Sequence, residues 1–195
     1  MPRKNEIDML HGPLLAKIII FAMPLAASSI LQQLFNSVDV AVVGRFDSSY
    51  ALAAVGSNGP VISLLINLFL GISMGANVVI SNHIGQKDNN LTKYAIRTTA
   101  ATALFSGLAL AVIGVLAARP ILTIMGTPTE VLDMAVRYLR IYFIGTPFLL
   151  IYNFGSAILR SKGDTSRPLY ILVIAGIINT VLNLILVIVF HMGVA

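Results

Sequence analysis

Cysteine and tryptophan are both absent from this 195-residue sequence, and only 11% of its residues are charged. Without cysteine there is no disulfide, no thiolate metal site and no cysteine nucleophile. The scarcity of charge says more. Ordinary soluble domains carry about 25% charged residues, whereas this chain is 57% hydrophobic with a mean hydropathy of +0.88. It reads as a membrane protein by composition alone. Acids are scarcer than bases, 8 against 13, for a net charge of +5. The basic residues sit in short segments between apolar runs, where topology accounts for them, so no nucleic-acid partner is implied. No cleavable signal is evident either. Arg3, Lys4, Glu6 and Asp8 precede the first apolar run, which is too long for a signal core.

Catalytic constellations are missing as well. Aspartyl chemistry needs two carboxylates, and Asp39 is the only acid away from the ends of the apolar spans. There is no His-Glu-x-x-His zinc motif, and His11, His83 and His191 all lie near span ends. Neither a Gly-x-x-x-x-Gly-Lys nor a Gly-x-Gly-x-x-Gly loop occurs, so no nucleotide drives the machine. No enzyme activity and no organic cofactor are expected.

What is present is an all-α pattern of five apolar spans, at about 14–44, 51–82, 93–118, 129–159 and 169–190. Residues 1–13 form a polar N-terminal tail, and 14–195 one transmembrane lobe. Pro24, Pro60 and Pro147 fall inside spans and should kink them. Arg119-Pro120 should end the third, leaving Ile121–Met125 as a short interfacial helix. Thr92 is a suitable cap for that third helix. Glu130, Asp133, Arg137 and Arg140 open the fourth span at helical spacing, suited to ion pairs along one helix. Tyr138, Tyr142 and Tyr152 have the character of interface aromatics. Nine Lys and Arg (3, 4, 17, 87, 93, 97, 160, 162, 167) lie on the tail's side against four (45, 119, 137, 140) on the other. That asymmetry places the N-terminus in the cytoplasm of a multi-pass inner-membrane protein.

The sequence is organised around Asp39, the only formal charge between Ile18 and Gly44. A lone carboxylate at membrane depth costs about 2.5 kcal/mol or more, so it belongs in a protein-lined or wet cavity. At helical periodicity Ser28, Gln32 and Asn36 share its face to within about 60°. Asn67 in the second span, Asn153 in the fourth, and Gly176, Asn179 and Asn183 in the fifth are further candidates for such a cavity. Proline-broken helices around one acid and several amides suit ion-coupled alternating access. The competing reading is a structural hub that holds helices together.

The stretches PLAASSILQQLFNSVDVAVVGR, ALAAVGSNGP, GISMGANVVISNHIGQKD, YLRIYFIGTPF, LRSKGDTSRPLY, NTVLN and the terminal MGVA carry a resemblance. In this order and spacing they resemble the N-terminal part of the multidrug and toxic compound extrusion (MATE) family, over about Leu14 to Ala195. The resemblance implies a twelve-helix antiporter of two six-helix lobes, of which five helices of one lobe are present here. It implies a protein that exports drugs or other small, cationic or amphipathic compounds in exchange for Na⁺ or H⁺. Asp39 matches the family's cation- or proton-binding acid, and Asn179 its fifth-helix Asn. The acid that usually follows four positions later is Asn183 here. An amide offers a carbonyl oxygen but neither a charge nor a proton site, which leans the coupling towards H⁺ and leaves Na⁺ only Asp39 and Asn179. The family's sixth-helix Thr lies beyond MGVA, so a fragment that lacks the C-terminal lobe is expected. A lipid-linked oligosaccharide flippase of the same superfamily and a non-transporting structural subunit are the alternatives.

Overall fold

A computed structural model describes residues 14–46 and 49–189. The tail at 1–13 and the terminal MGVA, with His11 and His191, lie outside the described residues. Five helices follow one another: α1 (Leu14–Phe46), α2 (Ser49–Gly85), α3 (Asn89–Ile124), α4 (Thr129–Ser161) and α5 (Ser166–Leu184). A π-helical segment, Ile185–Val189, continues α5. All five are long and apolar enough to cross a membrane. The first four hold 33 to 37 residues each. That is about 50 Å of helix against a hydrocarbon layer of about 30 Å, so their ends project beyond it or the helices tilt.

Several boundaries differ from the sequence reading, each for a local reason. The third helix is not broken at Arg119-Pro120 but runs on to Ile124. Ala118 and Leu122, on either side of the proline, are fully buried, and the Thr123 hydroxyl donates to the Arg119 carbonyl at 2.9 Å. Packing outweighs the one backbone bond that proline removes. Asp88, not Thr92, caps this helix. Its carboxylate accepts from the N–H groups of Asn90 and Leu91 at 3.0 and 2.9 Å, and Thr92 is already in the first turn. The second helix extends past Asn82 to Gly85 and is closed by Lys87 at φ +56°. In the fourth helix Arg160 and Ser161 belong to the last turn, so the basic turn is shorter than expected. Gly163 at φ +80° reverses the chain there, a left-handed conformation that suits glycine.

Helices α2, α3 and α4 interlock. A methyl added at Gly114 would overlap the Phe143 ring, and one at Gly107 would sit 2.7 Å from the Pro147 Cα. Small residues at these positions let the backbones approach, which is how helices associate in lipid. Around that contact Ala54, Leu122, Val131, Ala135, Val136 and Leu139 form the buried core. Asn58, fully buried, donates its Nδ2 to the carbonyls of Ala54 (2.8 Å) and Ala135 (3.1 Å), fixing α2 against α4. Expected ion pairs along α4 are instead bonds to α3. Asp133 pairs with Arg119 at 3.1 Å, and the Arg140 Nε donates to the Val115 carbonyl at 3.2 Å. Large apolar side chains such as Leu64, Phe105, Leu116 and Phe148 stay exposed on the outside, the surface a bilayer covers.

Helix α1 lies against α5. Gly176, buried at the middle of α5, faces the Phe35 ring so closely that a methyl would overlap it. The two helices run parallel and bring Asp39 and Asn183 together.

Candidate functional site

A cavity of about 580 Å³ opens between α1, α2, α4 and α5. Period-3.6 spacing explains what lines it. On α1 the residues Gln32, Asn36 and Asp39 recur at intervals of four and three, one face of a helix. Asn67 comes from α2, Asn153 from α4 and Asn179 from α5. Seven residues singled out in the sequence, Gly176 of α5 among them, thus share one cavity wall. Asn183 is not on the lining but reaches it through the acid, its Nδ2 donating to the Asp39 Oδ1 at 2.6 Å. That bond is the contact between the two positions that carry the family comparison.

The remaining partners are local. Asn67 donates to the Ser63 carbonyl at 2.8 Å, one turn back in its own helix, which leaves its amide oxygen free to face the cavity. Asn153 is buried on α4. Ser28, expected beside Asp39, is not on the wall. It is buried and its hydroxyl donates to the Pro24 carbonyl at 2.7 Å. Its neighbour Ser29 lines the cavity in its place.

Tyr142 and Tyr152 also line the cavity. Both are partly buried, and the Tyr152 hydroxyl donates to the Pro168 carbonyl at 3.2 Å. Their signal was in the sequence. Tyr142, Leu149 and Asn153 follow at steps of seven and four, so the face that holds Asn153 also holds Tyr142. Gln33, Phe35 and Ser63, with the apolar Ile66, Leu70, Leu149, Leu172 and Ala175, complete the parts of the wall that were not singled out as site residues.

Among the described residues the wall has one carboxylate and no lysine or arginine. Its field therefore favours a cation, whether a proton, a metal ion or a charged compound. Among the described residues no group of three or more His, Cys, Asp or Glu could hold a metal ion. Oxygen donors suited to Na⁺ are the Asp39 carboxylate and amide carbonyls. Asn183, however, turns its N–H rather than its carbonyl to the acid, a charge-assisted bond that satisfies the carboxylate without a cation.

Comparison with known proteins places this geometry. The MatE family model matches residues 24–185. Among curated relatives, the probable multidrug resistance protein YoeA of Bacillus subtilis (strain 168) is 36% identical over 163 residues, covering 84% of this chain and 35% of YoeA. The multidrug export protein MepA of Staphylococcus aureus (strain MRSA252) is 24% identical over 187 residues, 94% of this chain and 41% of MepA. Among solved structures, a crystal structure of MATE in complex with MaD5 superposes with a TM-score of 0.90 at 26% identity, covering all of this chain and 44% of that one. The chain thus spans well under half the length of the curated relatives it matches. An all-helical bundle with five potential membrane spans, matched by the family model over most of its length, belongs to the MatE family of membrane transporters.

Proposed function

We propose that this chain forms part of an exporter that expels small organic compounds, cationic or amphipathic, in exchange for protons. The observation that carries the reading is the Asp39–Asn183 bond at the edge of a polar, lysine- and arginine-free cavity. Asp39 supplies the one charge that can cycle. Protonated, it loses its charge-assisted bond and its attraction for a cation; deprotonated, it recovers both. A neutral amide at Asn183 leaves no second negative charge to pull in Na⁺, so H⁺ is the coupling ion of this reading. Asn179, Gln32, Asn36, Asn67 and Asn153 provide the polar contacts for substrate or for Asp39. The multidrug names of the relatives support the substrate class, and the cavity's anionic character argues against an anionic lipid-linked sugar. The distribution of Lys and Arg supports a plasma-membrane protein with its N-terminus in the cytoplasm.

The experiment is efflux of a fluorescent organic cation from loaded proteoliposomes that contain the whole exporter of which this chain is part. Efflux driven by an imposed pH gradient and indifferent to Na⁺ supports the reading. Efflux that follows a Na⁺ gradient and ignores pH refutes proton coupling.

A further inference from the structure

A second cavity, of about 430 Å³, lies between α2 and α3, on a different face of α2 from the polar one. Its origin is in the packing. Helices α2 and α3 each lie closely along α4 and meet one another less. Asn58 fixes α2 to α4, and the approach of Gly114 to Phe143 fixes α3 to α4. A wedge is left between the two outer helices, with Phe143 as the one contribution of α4 to its wall. On the α3 side Gly114 and Ala117 are too short to fill it.

The chemistry of the slot selects its occupant. Among the described residues no polar side chain lines it. A polar guest would lose its hydrogen bonds there, and an apolar cavity stays dry and takes up apolar guests. A drug-sized ligand is ordinarily oriented by a few polar groups, which this wall lacks. The slot opens sideways, past the exposed Leu64 and Ile113, onto the surface that a bilayer covers. On α3 its wall runs from Leu110 to Met125, about 22 Å of helix, against about 15 Å of hydrocarbon in one leaflet, half of a bilayer's core. Met125 is the C-cap of α3, so the slot reaches the end of the span, at the level of lipid headgroups. A helix of another protein is about 10 Å across, too wide for this volume over that length.

We infer that this slot is a lipid site: it holds one acyl chain of a phospholipid from the leaflet at the α3 C-terminal end, with the headgroup beside the α3–α4 turn. The chain supplies the dispersion contacts between α2 and α3 that no side chain makes. The site depends on the helices spanning a membrane and not on what the protein exports.

The test reads lipid contact directly, in the whole transporter of which this chain is part, purified in detergent micelles. A phosphatidylcholine with a diazirine midway along one acyl chain is titrated in and photolysed, and labelled residues are mapped by mass spectrometry. Its neutral headgroup makes the labelling report the chain and not charge. Leu65, Leu110 and Ala117 line the slot and are half-buried. Leu116 and Phe148 are more exposed but stand off it. Labelling of the first three should saturate, while that of Leu116 and Phe148 keeps rising in proportion to added lipid. Ala117→Phe puts a ring in the space of the chain. It should abolish the saturable labelling at Leu65 and Leu110, leave Leu116 and Phe148 unchanged, and not lower the melting temperature, because the ring replaces the contacts of the lost chain. Should that variant fail to fold, the titration of the native protein decides alone. Labelling that rises in proportion at all five residues would make the slot ordinary bilayer-facing surface and overturn the site. Labelling of Leu116 and Phe148 with none in the slot would show that something other than lipid covers it, and saturable labelling that survives in a folded Ala117→Phe protein would place the bound chain elsewhere; either result overturns it too.

Discussion

Asn183 donates to Asp39 across 2.6 Å, joining residues 144 positions apart at the contact of α1 with α5. The pairing gives the acid a neutral partner. A second carboxylate at that distance would force one of the two to take a proton or both to share a cation. With an amide there, Asp39 can hold its charge or give it up alone.

Replacing Asn183 by Asp should therefore change the ion that drives export. Asn183→Asp is expected to make efflux respond to Na⁺, with the pH-driven component reduced. Parallel efflux measurements under Na⁺ and pH gradients check this. An Asn183→Asp protein as indifferent to Na⁺ as the native one would show that this position does not select the ion.

Gly114→Ala should destabilise the α3–α4 contact. The added methyl overlaps the ring of Phe143, a fully buried residue. Overpacking of this kind costs about 1–3 kcal/mol. The helix-propensity gain from removing a glycine is at most about 1 kcal/mol. The loss wins, and the melting temperature in detergent should fall. Gly56→Ala is the control, because nothing lies within 4 Å of a methyl there; its melting temperature should hold or rise slightly.

Gly176→Ala acts on the site. Its methyl overlaps the Phe35 ring, and Phe35 lines the cavity. The ring is displaced towards that space or α5 is pushed from α1. Export of bulky compounds should fall more than export of small ones, which a pair of fluorescent cations of different size would read. Equal loss for both would mean that the methyl acts through stability alone.

The polar face of α1 was legible because Gln32, Asn36 and Asp39 stand at helical intervals in a run with no other charge. Five spans were legible from hydropathy and from the charged turns between them. Asn67, Asn153 and Asn179 stood out for a similar reason, as amides in apolar surroundings. Other features depend on contacts that no spacing reveals. Ser28 shares the angular position of Asp39, yet its short hydroxyl bonds back to Pro24 and leaves the wall to Ser29. Pro120 has the local chemistry of a helix end, yet Ala118 and Leu122 are packed on both sides of it. Tyr142 and Tyr152 fit either a headgroup layer or a cavity wall, and only the approach of α5 decides between them. The Asp39–Asn183 contact depends on how closely Gly176 lets α5 approach Phe35.

The central claim is that Asp39 is the group whose charge couples the ion to the substrate. It is tested most directly by comparing pH-gradient-driven efflux of a fluorescent cation from proteoliposomes that contain the native protein or Asp39→Asn. The substitution keeps the shape and removes the charge, and losing an isolated charge at membrane depth should ease insertion by about 2.5 kcal/mol rather than hinder it. Insertion and melting temperature are therefore expected to match the native protein or exceed it. Efflux is expected to drop to the level of empty liposomes. Native-level, gradient-driven efflux from a folded Asp39→Asn protein would contradict the account.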